Sequence, residues 1–225
     1  MSLCGVINLD KPAGLSSARL VDRVKRLLPR GTKIGHAGTL DPFATGVLLL
    51  LIGKATKSCE QLMAQPKGYE AVVKLGARTA TDDPESAEEP VVVPVVPDEQ
   101  QVRAAANRFI GAIPQRPPAF SAMKVDGQRA YKLARQGQEV EIKPRIVTVH
   151  ALDVLEYAWP TLRIRVECGR GTYIRAIARD LGEALGTGGY LTQLRRTFVG
   201  PFRVENGVTL ETLQGEGVER YLNAV

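Results

Sequence analysis

Asp41 is the residue of this chain best placed to do chemistry. It stands in the run Gly35-His36-Ala37-Gly38-Thr39-Leu40-Asp41-Pro42, which continues through Phe43-Ala44-Thr45-Gly46-Val47-Leu48. Pro42 disfavours helical geometry at Asp41, so the acid is expected on an irregular segment. Gly35 and Gly38 allow a tight turn or a close approach of the backbone to a ligand. A carboxylate on such a loop, just ahead of an apolar element, can act as a nucleophile or as a general acid or base. The same residue types also allow a plainer reading, an Asp-Pro turn beside a structural histidine. His36 and His150 are the only histidines, and Cys4, Cys59 and Cys168 are widely spaced. No metal-ligand spacing results, so no metal site is expected.

The strands and helices around Asp41 can be read from apolar periodicity. Residues 4–9 read as a short strand entering a Lys11-Pro12 turn. Ser16 or Ser17 caps a helix with apolar positions Leu20, Val21, Val24, Leu27 and Leu28. Its other side carries Arg19, Arg23, Arg26 and Arg30 as one stripe. A charge stripe is commonly a solvated face, but the uniform sign here also suits phosphate contact. Beyond Asp41 the pattern predicts a buried strand over 47–52, a helix over 55–63 and an alternating strand over 69–75. Residues 79–97 read as an exposed loop followed by an extended piece at 91–96. Pro97-Asp98-Glu99 signals a helix start, with Val102, Ala106, Phe109 and Ile110 facing inward. A strand is expected over 119–125, ending at the Asp126-Gly127 turn, then a short helix over 131–135. Residues 145–155 and 162–167 alternate as antiparallel strands joined near Pro160, and 172–185 form an amphipathic helix. Strands and helices mix without regular βα alternation, which predicts the α+β class rather than a doubly wound sheet. No internal repeat is present.

At 225 residues with 44% apolar residues, the chain can bury a substantial core. No apolar run reaches bilayer length and no secretion leader precedes the first strand, so no membrane association is expected. The unpaired, scattered cysteines suit a reducing compartment, and a cytoplasmic location is expected. The formal charge is +6. Seven acids, from Asp82 to Glu99, stand together without a lysine or arginine, and leaving them out raises the figure from +6 to +13. A basic body with one acidic excursion suits a polyanion-binding protein that keeps the acidic loop away from the bound strand.

Several words along the chain, taken in order, carry a resemblance. They are Asn8-Leu9-Asp10-Lys11-Pro12 with Gly14-Leu15-Ser16-Ser17, the Asp41 run, Tyr69 ahead of Leu75-Gly76, Ser121-Ala122-Met123-Lys124, Gly171-Thr172-Tyr173-Ile174-Arg175, and Leu194-Arg195-Arg196. Together they resemble the TruB family of pseudouridine synthases over residues 5–213. The resemblance implies a mixed, largely antiparallel central sheet flanked by helices. It also implies isomerisation of a uridine in the T-loop of tRNA, at position 55, with no cofactor. Pseudouridine formation breaks the base–sugar N–C bond, rotates the base and rejoins it through carbon, so it needs neither redox chemistry nor a metal.

By the same resemblance Asp41 is the catalytic aspartate and Arg175 its charged partner. Tyr69 is the aromatic on which the target base stacks, and Tyr173 contacts the flipped base or holds Arg175. His36 stands in or beside the space that flipped bases vacate, Leu194 packs near the base, and Lys11, Lys124 and Arg195-Arg196 support the site or contact phosphate. A uridine inside a folded tRNA arm must be extruded to reach such a pocket. Many bacterial members carry a further RNA-binding domain after the catalytic body. Here a catalytic domain over 1–213, with an acidic loop or insert near 79–97, is followed by a tail over 214–225, so little or no such domain is expected. A T-arm hairpin is therefore expected to serve almost as well as whole tRNA. The expected protein is a monomer without an obligatory protein partner. Two alternatives remain at this point: an RNA-binding chaperone of tRNA folding, and a guide-RNA-dependent synthase of the same family.

Overall fold

The computed structural model describes residues 3–121, 123–125, 127–130, 133, 136 and 142–224. Those residues form a mixed α+β structure. The strands are β1 (Gly5–Lys11), β2 (Ile34–Ala37), β3 (Thr45–Ile52), β4 (Lys67–Leu75), β5 (Ala77–Thr79), β6 (Glu88–Pro90), β7 (Gly111–Gln115), β8 (Lys124–Val125), β9 (Gln128–Arg129), β10 (Arg145–Ala158), β11 (Thr161–Cys168), β12 (Gly189–Val199) and β13 (Phe202–Arg203). The helices are α1 (Ser17–Lys25), α2 (Cys59–Ala64), α3 (Glu99–Asn107), α4 (Ile174–Ala184) and α5 (Leu210–Glu216). Two compact units result, one of Met1–Glu70 with Leu194–Val225 and the other of Ala71–Gln193.

In the first unit β3 is the central strand. β1 lies antiparallel to it along one edge, from Gly5 opposite Ile52 to Lys11 opposite Gly46. The other edge is shared. β12 runs parallel at Thr45 and Gly46, and β2 runs antiparallel from Leu49 to Ile52. The unbroken apolar run of β3 has a direct cause, because both faces are covered. Leu48, Leu50 and Ile52 pack with Ile7 and Leu9 against Leu20, Val24 and Leu28 of α1 and Leu210 and Leu213 of α5. Val47, Leu49 and Leu51 pack on the opposite face with Leu62 of α2 and Val199. Gly46 has φ +100, and a Cβ there would lie 2.1 Å from the Arg196 carbonyl oxygen, so only glycine lets β3 and β12 meet at this register.

The second unit is built on the β10–β11 hairpin, antiparallel with register shifts near His150 and Leu155. β7 extends it from the edge of β10. Pro114 fits there because an edge strand leaves one row of backbone donors unused. β11 alternates strictly between exposed and buried positions. α3 begins at a capping box, with Asp98 accepting from the Gln101 amide and Gln101 accepting from the Asp98 amide.

Several local expectations are corrected. The helix expected over 55–63 is a 3-10 segment, Gly53–Ser58, followed by the shorter α2. Among the described residues of 119–125 only Lys124 and Val125 are strand. Ile110, expected to face inward, lies beyond the end of α3 and is 44% exposed. Of the helix expected over 131–135, residues 131, 132, 134 and 135 lie outside the described residues, as do Ala122 and Asp126. The short strands β2, β5, β6 and β7 and the long β12 carry weak alternation and were not predicted.

Candidate active site

Asp41 lies on the connection between β2 and β3, half-buried, and several hydrogen bonds hold the backbone around it. The Ser17 hydroxyl donates to the Leu40 carbonyl at 3.1 Å and accepts from the Leu40 amide at 3.0 Å. The Gly14 amide donates to the Pro42 carbonyl at 2.8 Å, and the Ala44 amide closes a turn onto the Asp41 carbonyl at 3.1 Å. Beneath the loop Lys11 is 0% exposed. Its Nζ donates to the carbonyls of Pro12 at 2.9 Å, Pro42 at 3.1 Å and Ala44 at 2.6 Å. An ammonium has three donors, so all are used. Burial lowers the Lys11 pKa from 10.5 to about 8, against the opposing pull of the Asp41 charge and with a small further push from Arg196. Lys11 is thus a buried cation within the field of Asp41 whose direct hydrogen bonds fix the loop that carries it.

Arg196 anchors the start of the same loop. It is 1% exposed, and its Nε donates to the Val47 carbonyl at 2.6 Å and its Nη2 to the Gly38 carbonyl at 3.1 Å. Gly38 has φ +86, and a Cβ on it would lie 3.6 Å from Arg196 Nη1 and 3.9 Å from Lys67 Cε. Lys67 is buried and donates to the Met63 and Gln65 carbonyls. Tyr69, two residues further on β4 and also buried, shares the face of Lys67. That face is the one turned toward Gly38. His36 pairs with Leu50 across β2 and β3. Its Nδ1 is enclosed without a hydrogen-bond partner, and burial, helped by Arg196, lowers its pKa. Leu194 is buried on β12. Arg195, one residue on, turns outward and pairs with Asp10 at 2.9 Å.

A second cluster stands in the other unit. Arg175 is 3% exposed in the first turn of α4. Its Nη1 donates to the Thr81 carbonyl at 2.8 Å and to Asp83 Oδ2 at 3.0 Å, and its Nη2 to the Phe120 carbonyl at 2.9 Å. Tyr173 is the N-cap of α4 but supplies no capping side chain. Gln115 takes over. It is 1% exposed, accepts from the Tyr173 amide at 2.8 Å and donates to the Tyr173 carbonyl at 3.1 Å. The Arg145 guanidinium lies 5.3 Å from the Tyr173 ring centroid. Lys124 is on β8, and its side chain lies outside the described residues.

The acidic excursion needs a correction. Asp82 and Asp83 are not part of an exposed loop; both are buried. Asp83 pairs with Arg175, and Asp82 with Arg179 at 3.0 Å. Burial pushes the Asp82 carboxyl up to about 6 despite the pull of Arg179 and Arg175. Glu88 pairs with Lys74 and Glu99 with Arg103. Sequence reasoning missed Gln115, Asp83 and Arg145 as supports. A lone Gln-Arg after a short proline-bearing strand gives no signal, and the two aspartates were hidden in a longer acidic run.

Comparison with known proteins follows this geometry. Residues 25–174 match the family profile described as "TruB family pseudouridylate synthase (N terminal domain)", and residues 175–225 match "tRNA pseudouridylate synthase B C-terminal domain". The chain is 50% identical over 220 residues to the tRNA pseudouridine synthase B of Cupriavidus pinatubonensis, covering 96% of this chain and 69% of that one. It is 46% identical over 220 residues to the protein of the same name from Corynebacterium diphtheriae, covering 93% and 72%. Among solved structures it is similar to a Cbf5-Nop10-Gar1 complex, with TM-score 0.71 and 32% identity over 96% of this chain and 57% of that one. It is also similar to an H/ACA RNP bound to a substrate RNA containing 2'-deoxyuridine, with TM-score 0.69 and 31% identity over 96% and 56%. The chain therefore spans a little over half the length of the chains in those two structures.

Proposed function

This chain belongs to the TruB family of pseudouridylate synthases and is an isomerase of uridine in tRNA, and we propose that its target is the T-loop uridine at position 55, with Asp41 as the essential carboxylate. The observation that carries the proposal is the immobilised Asp41 loop. Ser17, Gly14, Lys11 and Arg196 hold its backbone, while Asp41 as a residue is only partly buried. Pre-organisation of this kind is what a group must have if it is to meet a sugar carbon in one geometry.

In the proposed reaction the target nucleotide is flipped out of the RNA. Asp41 opens the bond between N1 and C1′, as a nucleophile at C1′ or by assisting an elimination. The freed base turns and bonds to C1′ through C5, and the C5 proton leaves as N1 gains one. Tyr69 stacks on the base, a contact worth about 1–3 kcal/mol. Its phenol also serves as a base for the last proton. Leu194 packs near the base and His36 occupies the space that the flipped bases vacate, while in the second unit Arg175 is anchored on Asp83 and the Tyr173 backbone on Gln115. Lys11 acts through the loop and is a positioning residue, and Lys124 contacts phosphate. Identity near 50% to proteins named tRNA pseudouridine synthase B, against 32% to a chain of a Cbf5-Nop10-Gar1 complex, favours tRNA as the substrate, and the proposal takes the chain to act as a monomer without a guide RNA.

The test is release of tritium from C5 of the target uridine in a T-arm hairpin, comparing wild type with Asp41→Asn in the presence of EDTA. Release by wild type and none by the variant is the expected result. Equal release by both removes Asp41 from the chemistry. If the wild type binds the hairpin but releases no tritium, the T-loop assignment fails.

A further inference from the structure

The outer face of α1 has a feature that neither the fold nor the proposed chemistry uses. Arg19, Arg23 and Arg26 project from it at helical spacing, Arg30 follows in the turn toward β2, and all four are exposed. We infer that these arginines form a phosphate track that grips the RNA strand leading away from the target uridine. The inference rests on the tRNA reading above and extends it to a defined surface.

Three observations carry it. The first is the lack of partners. Several other surface arginines are neutralised, Arg103 by Glu99, Arg163 by Glu156, Arg195 by Asp10 and Arg220 by Glu216, whereas Arg78, Arg108, Arg116 and Arg203 are exposed but isolated rather than aligned on one helix face. Among the described residues none of the four arginines of the track has an ion-pair partner. Asp22 stands four residues before Arg26, the natural spacing for a helical pair, and does not engage it.

The second is the helix dipole. Cations near the C-terminus of α1, such as Arg23 and Lys25, favour the helix, so stability alone could account for them. Arg19 lies in the first turn, where the dipole disfavours a positive charge and where no acid is present. An uncompensated cation there costs stability and calls for an anion from outside the chain.

The third is location. Ser17, the first residue of α1, holds both backbone groups of Leu40, next to Asp41. The track therefore starts at the loop that receives the target nucleotide and runs outward, about 10 Å from Arg19 to Arg26. At its far end lies an open hollow of about 490 Å³, lined by Lys25, Gly31, Thr32, Lys33, Ile34 and Thr56, which adds two cations. Guanidinium groups suit this work, since their planar fork matches phosphate oxygens in pairs.

Binding of a T-arm hairpin is measured against salt concentration, alongside tritium release, for three proteins. They are the wild type, a variant with Arg19, Arg23, Arg26 and Arg30 all changed to Gln, and a control with Arg103, Arg108, Arg163 and Arg220 changed to Gln. The control removes the same charge elsewhere. Each lost phosphate contact lowers the slope of log K against log salt by about 0.7–0.9, so the track variant is expected to lose about 3 from its slope. KM rises, while kcat at saturating RNA and the slope of the control stay at the wild-type value. A version with four Lys in the track keeps most of the slope, which separates lost charge from lost fold. Shortening the RNA stem should abolish the effect of Arg26→Gln and Arg30→Gln before that of Arg19→Gln and Arg23→Gln. Equal slopes for track variant and control overturn the inference, as does a reversed order in the stem series. Absence of tritium release by the wild type strikes the tRNA reading instead, and the binding slope still decides the track.

Discussion

Replacing Lys11 by Met separates what this residue does for stability from what it does for the reaction. Met keeps the apolar stem and removes the ammonium. At neutral pH the wild type carries a charge that the fold disfavours, as the fall from 10.5 to about 8 records. That difference corresponds to about 3 kcal/mol, which the Met variant regains. Against it stand the lost hydrogen bonds. The Ala44 bond is fully buried, and stranding its carbonyl costs about 1–3 kcal/mol. The bonds to Pro12 and Pro42 are partly buried, and water can replace the lysine at somewhat less than 1 kcal/mol each. The terms nearly cancel, so stability at pH 7 is expected to change by no more than about 1 kcal/mol, or about 2–4 °C in Tm. The pH dependence does not cancel. Between the folded value near 8 and the unfolded value of 10.5 the unfolded chain binds more protons, so stability rises with pH. From pH 7 to 9.5 this amounts to about 2 kcal/mol in the wild type and nothing from this site in the variant. The reaction should suffer far more than the fold. With Pro42 and Ala44 released the loop shifts, and a displacement of about 1 Å costs up to roughly 100-fold in rate. Urea melts of both proteins at pH 7 and 9.5, with single-turnover tritium release, measure all three quantities. A Met variant with unchanged rate would show that Lys11 does not hold the loop. A Met variant that keeps the wild-type rise in stability would show that the buried charge is not Lys11.

Other substitutions test the supports one at a time. Asp83→Asn removes the Asp83 carboxylate from the buried Arg175 guanidinium and is expected to cost about 3 kcal/mol in denaturant melts, together with most of the activity. Asp82 has a raised pKa of about 6, so its contribution to stability is full below about pH 4 and is lost as the pH climbs through 6. Asp82→Asn should remove that slope from thermal melts between pH 4 and 7. Gly46→Ala drives a Cβ into the Arg196 backbone at a φ that alanine rarely adopts, and it should unfold the first unit or lower its Tm by well over 10 °C.

The mixed α+β class, the apolar run at the centre of the first unit, the caps of α1 and α3 and the β10–β11 hairpin were all legible in the amino-acid order. These follow from local rules: period, capping chemistry and turn residues act within a few positions of each other. It also put Asp41 on an irregular segment, because Pro42 imposes that on its neighbour whatever surrounds it. The words that resemble the TruB family named candidate site residues without showing what holds any of them, and that emerges only from the tertiary contacts. Lys11 and Arg196, given by the resemblance only as site support or phosphate contacts, prove to be buried, because Lys11 donates to the Pro42 and Ala44 carbonyls more than 30 residues on and Arg196 to the Val47 and Gly38 carbonyls about 150 residues back. Asp82 and Asp83 look like the start of a solvated acidic run and prove to be buried counter-ions of arginines more than 90 residues on. Gln115, silent in the sequence, grips both backbone groups of Tyr173, just before the helix that follows. In each case a polar group was removed from water, and burial of that kind is stable only with a partner whose place along the chain no local pattern predicts.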